Sequence, residues 1–472
     1  MIVDAKRQDM DDDAGATTRD RDPTLERALG RAWADDRPWE LLTRLTALPH
    51  RMGGSPSERR AAAIVGDALE DAGVSGRRTD EFPMQYWERG ATEFAITDVD
   101  DGAADAVASE RSFEATALPY CPPGDLEGPL VDVGYGTPEE IEDVDLQGTI
   151  AVASTTTPPE RRFVHRMEKF GHAVAAGAEA FVFANHVPGQ LPPTGALKFD
   201  AEAAIPGVGV SAETHDWLVE YADRGARARL RVDAATTDGT SRNVHGTLGP
   251  ETDEEVLVLA HYDAHDIAEG ALDNGCGIAT VAGAASILAD IEDVLDCRVR
   301  IAGVGCEEIG LLGAEALALD VDPESVRAVV NVDGAGRFRN LKALSHASAT
   351  LADLAADVAE SVGQPIVHDR DPHPFSDHWP FLRAGVPSLQ LHSEPADGGE
   401  RGRGWGHTAA DTRDKVEPRN LREHAMLTAL LVRELTRTEV PRVSADELRE
   451  RFEAQNYVAG MRAAEVWPSE WD

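Results

Sequence analysis

The chain has 472 residues, 42% of them hydrophobic, which is enough for two or three domains with buried cores. Acidic residues outnumber basic ones by 85 to 45, so the formal net charge is −40. Such a surface repels nucleic acid and anionic membranes, and it is typical of proteins that work at high salt. An ordinary acidic cytosolic protein is the alternative interpretation.

The first 22 residues are polar and acidic, which predicts a disordered N-terminus. This segment lacks the apolar core of a signal peptide, and no apolar run in the chain reaches the ~18 residues of a membrane span. We therefore expect a cytoplasmic protein. The four cysteines have no paired spacing and are expected to be reduced, small core residues: Cys121, Cys276, Cys297 and Cys306.

In chain order, residues 23–115 form the first part of the predicted main domain, with a helix at RRAAAIVGDALEDAGV. In residues 116–236, short β-rich runs such as GTIAVAST and AFVFANH alternate with turns, which predicts an inserted module. From 237 to 440, apolar strands alternate with helices, which predicts a mostly parallel sheet covered on both faces. Residues 441–472 are predicted to form a C-terminal helical extension.

Five loops of the main domain carry side chains that bind metals. They are His261 and Asp263 in AHYDAHD, Asp273 in GALDNGCG, Glu307 and Glu308 in CEEIG, Asp333 in NVDGAG, and His407 in GWGHTAADT. Taken singly, Asp273 could be a helix cap and His407 a surface histidine. Because the carboxyl ends of parallel strands meet at one edge of a sheet, the five loops together favour one metal site.

The donor types at this edge indicate more than one ion. Two imidazoles and four carboxylates exceed what one zinc needs, and they suit two metals that share a carboxylate. Of the adjacent acids, Glu308 can bind a metal while Glu307 accepts a proton from a nearby water. Asp263 can fix the tautomer of His261, and Asp411 could orient His407.

The series HxD, DN, EE, NxDG, SDHxPF and HTxxDT resembles the co-catalytic di-zinc aminopeptidase family. Its superfamily also holds glutamate carboxypeptidase, glutaminyl cyclase and the transferrin receptor ectodomain. The likeness covers roughly residues 237–440 and the helical part before the insert, while the insert resembles a protease-associated domain. The resemblance implies an α/β three-layer sandwich with a mixed, mostly parallel central sheet, plus an inserted β-rich domain.

The resemblance also implies a role for each side chain. Two divalent ions, most readily Zn²⁺, are expected, together with a cis peptide bond between Asp273 and Asn274. Glu307 is the implied general base, which takes a proton from a metal-activated water, and Asp263 orients a ligand. The implied ligands are His261 and Asp333 on one ion, Glu308 and His407 on the other, and Asp273 on both.

The walls of the substrate pocket are less defined by the sequence. The segment DPHPFSDHWPF has no tyrosine to stabilise an oxyanion, so His373 or His378 is the candidate donor. Four further residues are candidates for lining the pocket: His265, His392, Trp405 and Trp379, of which Trp379 fits core packing slightly better.

The predicted function is an exopeptidase acting on peptides with a free N-terminus; the sequence leaves the oligomeric state open. A carboxypeptidase of the same fold would need a basic pocket, for which Arg401 and Arg403 are candidates. A glutaminyl-cyclase-like enzyme would use a single zinc, and a non-catalytic binding module like the transferrin receptor would have lost ligands. The complete donor set disfavours these last two.

Overall fold

A computed structural model describes residues 22–98, 110–395 and 405–472. The segment predicted to be disordered lies outside the described residues except for Asp22, and so do Arg401 and Arg403. In chain order the strands are β1 (Ser75–Asp98), β2 (Arg111–Phe113), β3 (Thr116–Ala117), β4 (Gly124–Asp132), β5 (Ile150–Ser154), β6 (Ala180–Ala184), β7 (Gly207–Val210), β8 (Arg227–Leu248), β9 (Glu255–His261), β10 (Arg298–Val304), β11 (Val326–Val332), β12 (Asn340–Leu344), β13 (Ile366–Asp369) and β14 (Ser388–Glu394).

The helices in the described residues are α1 (Pro23–Ala32), α2 (Arg37–Thr46), α3 (Pro56–Asp71), α4 (Pro138–Glu142), α5 (Arg166–Ala175), α6 (Ala212–Asp223), α7 (Cys276–Asp290), α8 (Leu312–Asp320), α9 (Ala349–Val362), α10 (Trp379–Leu382), α11 (Pro418–Leu435), α12 (Ala445–Ala454) and α13 (Val458–Ala463). Short single-turn helices connect several of them.

The main domain is built on a mixed sheet in the order β13-β12-β14-β11-β9-β10-β8. Strands β9, β10, β11 and β14 run parallel, as predicted. Strand β8 pairs antiparallel with β10, and β12 pairs antiparallel with β14 but parallel with β13. Successive side chains of β9 point to opposite faces: Val256 and Val258 join a core that includes α7 and α11, whereas Leu257 and Leu259 pack with residues of α8 and α10. Helices therefore cover both faces of the sheet.

The insert has its own parallel strands, β4-β5-β6-β7, and its apolar core continues into main-domain residues such as Ile309 and Trp379. One long strand joins it to the main domain, because residues 227–232 of β8 pair with β4 whereas residues 244–248 pair with β10. Strand β1 follows β8 antiparallel along most of its length. The predicted domain boundary at 236 thus falls inside a continuous strand, and a division at that residue stays a prediction.

The C-terminal helices pack against both parts of the molecule. Phe452, Met461 and Trp471 belong to the same apolar core as the insert, and Trp379 of the main domain joins them there. Trp379 is fully buried, and its indole N–H donates to the carbonyl of Val466 at 3.0 Å. Trp379 is therefore a core residue and does not line a pocket.

Helix α7 has a single charged residue, Asp290, among its 15 residues. With the π turn before it, Ala271–Asp290 is the one described helix that is long and apolar enough to cross a membrane. Most of it is buried within the protein, where it packs between α11, α2 and the sheet. The four cysteines are also buried, and none forms a disulfide.

Candidate metal centre

The candidate ligands lie at the carboxyl end of β9, where the strands that follow in sequence add to the sheet on opposite sides. Strands β10 and β11 flank β9 on opposite sides, so the loops after these three strands surround one crevice at their carboxyl ends. His261 is the last residue of β9, Glu307 and Glu308 follow β10, and Asp333 follows β11. Ligand sites of open α/β sheets form at such positions.

Asp273 lies between two histidines. Its Oδ1 is 3.3 Å from Nε2 of His261, and its Oδ2 is 3.2 Å from Nε2 of His407. The same nitrogen of His261 is 3.8 Å from Oδ1 of Asp333, and that of His407 is 3.3 Å from Oε2 of Glu308. Neighbouring donors around a tetrahedral zinc with bonds of ~2.05 Å lie about 3.3 Å apart. These spacings fit two ions that share Asp273, while the ligand roles themselves stay predictions.

The electrostatics of the site also fit cations. Neither ring nitrogen of His261 has a hydrogen bond within the described chain, although the ring is fully buried. Burial, reinforced by the Asp273 carboxylate, raises the pKa of Glu308 to about 8. Burial likewise raises the pKa of Glu307 well above its usual range, with Asp377 and Asp333 adding to the effect. Burying several carboxylates together destabilises the folded state unless bound cations neutralise their charge.

The loop that carries Asp273 is held by Asp411. The Asp411 carboxylate accepts hydrogen bonds from the backbone N–H groups of Leu272 at 2.6 Å and Asp273 at 3.0 Å. The peptide bond between Asp273 and Asn274 is cis, as the resemblance implies. Asp411 was expected to orient His407; it instead fixes the loop of the predicted bridging residue, because its carboxylate is occupied by these two backbone donors.

The residue that orients His407 belongs to the insert. Nδ1 of His407 lies 3.3 Å from the carbonyl oxygen of Thr194, and the N–H of Thr194 donates to the carbonyl of His407 at 2.8 Å. The backbone of His407 has a positive φ of 56°, a conformation that residues other than glycine rarely adopt. Docking of the insert thus compensates a strained conformation at the metal centre.

Asp263 has a wider role than the sequence indicates. Its Oδ1 lies 3.4 Å from Nδ1 of His261, consistent with an orienting partner. The carboxylate also accepts from the backbone N–H groups of Glu307 at 3.0 Å and Glu308 at 3.3 Å. One buried acid therefore positions a predicted ligand and the turn that carries the predicted base.

The buried side chain of Arg51 connects the loop after His261 to the loop before Asp273. This residue is 1% exposed, and its guanidinium donates to the carbonyls of Tyr262 and Gly270 at 2.7 Å each, and to that of Glu269. These carbonyls follow His261 and precede Asp273 in the chain. The sequence places Arg51 in a loop and gives no signal for this role.

A cavity of about 280 Å³ opens onto the candidate ligands. The main domain contributes the acids and His407, together with Leu311, Arg337, Phe375 and His392, so His392 lines the pocket as expected. The insert contributes His165, Arg166 and Phe199. Trp405 is half-buried and is not among the residues that line the cavity, in contrast to the expectation.

The predicted oxyanion donors do not line this cavity. The ring of His378 is fully buried and stacks on His346 with centroids 4.1 Å apart. Its Nε2 lies 2.7 Å from the carbonyl oxygen of His373. His373 in turn packs edge-on against Phe375. Because both rings pack against neighbouring side chains and neither lines the cavity, the structure corrects the prediction that either one faces a substrate.

Two further residues lie near the predicted ligands. His265 does not line the cavity, in contrast to the expectation, and Asp377 has no predicted role. Nε2 of His265 lies 3.0 Å from Oε2 of Glu308, and burial lowers the pKa of His265 to about 3. Asp377 is fully buried, and neither carboxylate oxygen has a hydrogen bond in the described chain. Asp377 belongs to the SDHxPF motif, and His265 belongs to a second His–Asp pair in AHYDAHD. The sequence motifs could therefore have pointed to both residues.

Comparison with known proteins agrees with this geometry. Residues 243–432 match the model of peptidase family M28, and residues 126–218 match that of the PA domain. The chain belongs to peptidase family M28 and carries a PA domain in its insert. This confirms the predicted family and the predicted fold class.

Three similar proteins span much of the chain. Aminopeptidase YwaD of Bacillus subtilis is 26% identical over 406 residues, which cover 83% of each protein. Carboxypeptidase Q of Mus musculus is 26% identical over 275 residues, 56% of this chain and 57% of that protein. The crystal structure of BSAP, described as a zinc aminopeptidase from Bacillus subtilis, superposes with a TM-score of 0.67 at 22% identity, covering 84% of this chain and 94% of that one.

Proposed function

We propose that this chain is a metal-dependent aminopeptidase that hydrolyses N-terminal peptide bonds with two divalent ions, most readily Zn²⁺. One observation carries the proposal. The two oxygens of Asp273 face His261 and His407 separately, at 3.3 and 3.2 Å, and each histidine has a second carboxylate nearby. Similarity to aminopeptidase YwaD and the fold shared with a zinc aminopeptidase support it.

In the proposed reaction the ions and Glu307 have different roles. When bound, the ions supply Lewis acidity, which lowers the pKa of water and polarises the scissile carbonyl. Glu307 lines the cavity, and its Oε2 lies 3.9 Å from Nε2 of His261. It takes a proton from the attacking water and delivers that proton to the leaving amine.

The cavity favours a short, chain-terminal segment of substrate. Its volume of about 280 Å³ is at the small end of ligand sites, which suits one terminal residue and its neighbour. The acids at its base can hold a free α-amino group, and Phe199, Leu311 and Phe375 offer apolar contacts for a side chain. We infer that the substrate is a peptide with a free N-terminus.

A carboxypeptidase is the second candidate, because two arginines line the same cavity. Arg166 comes from the insert and Arg337 from the loop after β11, and guanidinium groups bind carboxylates well. The similarity to carboxypeptidase Q gives this alternative further support. Under it, the arginines hold the C-terminal carboxylate of the substrate.

Elemental analysis and a peptide panel, both in high salt, test the proposal. We expect about two divalent ions per chain, as a co-catalytic site requires, and hydrolysis of peptides with a free N-terminus and an amidated C-terminus. Peptides with an acetylated N-terminus should resist. Cleavage of the acetylated peptides with a free C-terminus would instead establish the carboxypeptidase. A single ion would favour a cyclase-like enzyme, and a chain without ions or turnover would favour a binding module.

A further inference from the structure

We propose that His265 is a fourth protein ligand of the ion held by Glu308, His407 and Asp273, so that this ion is bound in a closed and tighter site than its neighbour. The proposal rests on the two-metal function above. The motif HxD accounts for His261 and Asp263, and His265 lies outside it. No role follows for His265 from the sequence resemblance.

The distances around Glu308 carry the proposal. Oε2 of Glu308 lies 3.0 Å from Nε2 of His265 and 3.3 Å from Nε2 of His407. One donor atom from each of these three residues lies within 4.8 Å of the other two. The edge of a tetrahedron around zinc is about 3.3 Å, so two imidazoles and this carboxylate can converge on one cation.

The surroundings of His265 agree with a ligand. Its side chain is 4% exposed, and neither ring nitrogen has a hydrogen bond of good geometry within the described residues. Its ring meets that of His407 edge to face, with centroids 4.8 Å apart. A buried imidazole ordinarily has partners for its nitrogens, and a shared cation would satisfy the nitrogen that faces Glu308.

This arrangement makes the two metal sites unequal. The site of His407 receives four protein donors, with His265 behind it and away from the cavity lining. The site of His261 receives Asp273 and Asp333, and it leaves a position open toward Glu307 and the cavity. Closed four-ligand zinc sites are typical of structural ions, whereas open three-ligand sites are typical of catalytic ones. The ion near His261 is thus the one that a chelator should remove first.

The test compares zinc affinities of the full-length parent and of His265→Gln by competition with a chromophoric chelator. The parent should bind two ions with clearly separated affinities. His265→Gln should lose at least about 100-fold in affinity at the tighter site, more than is usual for loss of an outer partner. His165→Gln is the matched control, since this histidine lines the same cavity but is absent from the donor group, and its zinc affinities should equal those of the parent.

X-ray absorption on the two-zinc parent gives a second readout that needs no variant. Three histidine ligands on two ions predict a mean of about 1.5 imidazoles per zinc, whereas two predict about 1.0. A parent with two ions and about 1.0 imidazole per zinc would overturn the assignment. An affinity loss of only a few-fold in His265→Gln would also overturn it, and would make His265 a hydrogen-bond donor to Glu308. A parent that never binds two ions would instead refute the proposed function itself.

Discussion

The carbonyl oxygen of Thr194, in the insert, lies 3.3 Å from Nδ1 of His407, whose Nε2 faces Asp273 and Glu308. A second bond runs the other way, from the N–H of Thr194 to the carbonyl of His407 at 2.8 Å. Metal-binding histidines usually donate their second ring N–H to such an acceptor, which fixes the tautomer and the ring plane. The insert therefore contacts the proposed metal ligand His407 directly and is not merely a neighbouring module.

Gly195→Ala tests this dependence. Gly195 has a φ of 135°, a backbone conformation that residues with a side chain rarely adopt, so the substitution should shift the backbone next to Thr194 and weaken its contact with His407. We expect zinc affinity or turnover to fall by about 10–100-fold, the usual effect of losing an orienting partner. Gly189→Ala is the control, because it also has a positive φ, 75°, but meets no atom within 4 Å. Equal zinc affinity and turnover in the two variants would contradict the role of Thr194.

Glu307→Gln should separate metal binding from proton transfer. The amide keeps the size of the side chain but cannot accept the proton of the attacking water, so kcat should fall by at least about 10²–10⁴-fold. The zinc content should stay at the parent value, because Glu307 is not an assigned ligand. Steady-state hydrolysis of aminoacyl-anilides together with elemental analysis measures both quantities. Glu324→Gln, at a side chain 84% exposed, serves as the control, and parental turnover in Glu307→Gln would disprove the assignment of the base.

Arg51→Lys should loosen two loops of the site together. A lysine ammonium is a point donor and cannot reach the three carbonyls that the Arg51 guanidinium holds. Each buried carbonyl left without a donor costs about 1–3 kcal/mol, so urea unfolding should show a loss of at least about 2 kcal/mol. Arg44→Lys, at a side chain 48% exposed, should change stability by less than about 0.5 kcal/mol. Similar small losses in both variants would show that Arg51 is dispensable.

Asp266 predicts a specific dependence of stability on pH. Burial disfavours its charge, but hydrogen bonds from Arg89, at 2.6 and 2.9 Å, outweigh burial and lower the pKa of Asp266. The pair therefore stabilises the fold above the unfolded pKa of ~3.9, and that contribution is lost as the pH falls through the lower folded pKa.

The variant Asp266→Asn should accordingly be less stable than the parent at pH 7, by about 2–3 kcal/mol for a mostly buried pair. The difference should hold from pH 7 down to about pH 5 and narrow below that, as the urea titrations continue to well below pH 4. Asp253→Asn, at an exposed position, should show no such difference at any pH. A gap between parent and Asp266→Asn that stays constant over this range would contradict the assignment.

We also propose that the protein is adapted to high salt, on the basis of its net charge of −40. The Debye length falls from about 10 Å at 0.1 M to about 3 Å at 1 M, so repulsion between surface acids weakens as salt rises. The urea midpoint should increase between 0.1 and 2 M KCl by more than it does in sucrose of equal osmolality. An equal effect of sucrose would point to general solute exclusion and not to charge screening.

Much of the candidate site follows from local sequence signals. His261 ends an apolar strand, and Glu308 and Asp333 lie in the loops after two others. Parallel strands bring their carboxyl ends to one edge whatever the details of packing. The residue types then restrict the chemistry to divalent metals. The insert follows from its short β-rich runs, whereas the mixed sheet and the cis bond after Asp273 were implied by the family resemblance of the motifs.

Only the tertiary structure shows which segments far apart in the sequence contact and position one another. Thr194 and His407 are 213 residues apart, and Arg51 lies more than 200 residues before the loops it holds. Such contacts depend on how the insert and the helices dock, which periodicity and residue type do not encode. For the same reason, the sequence suggested Asp411 as the partner of His407 and offered His265 only as a pocket-lining residue.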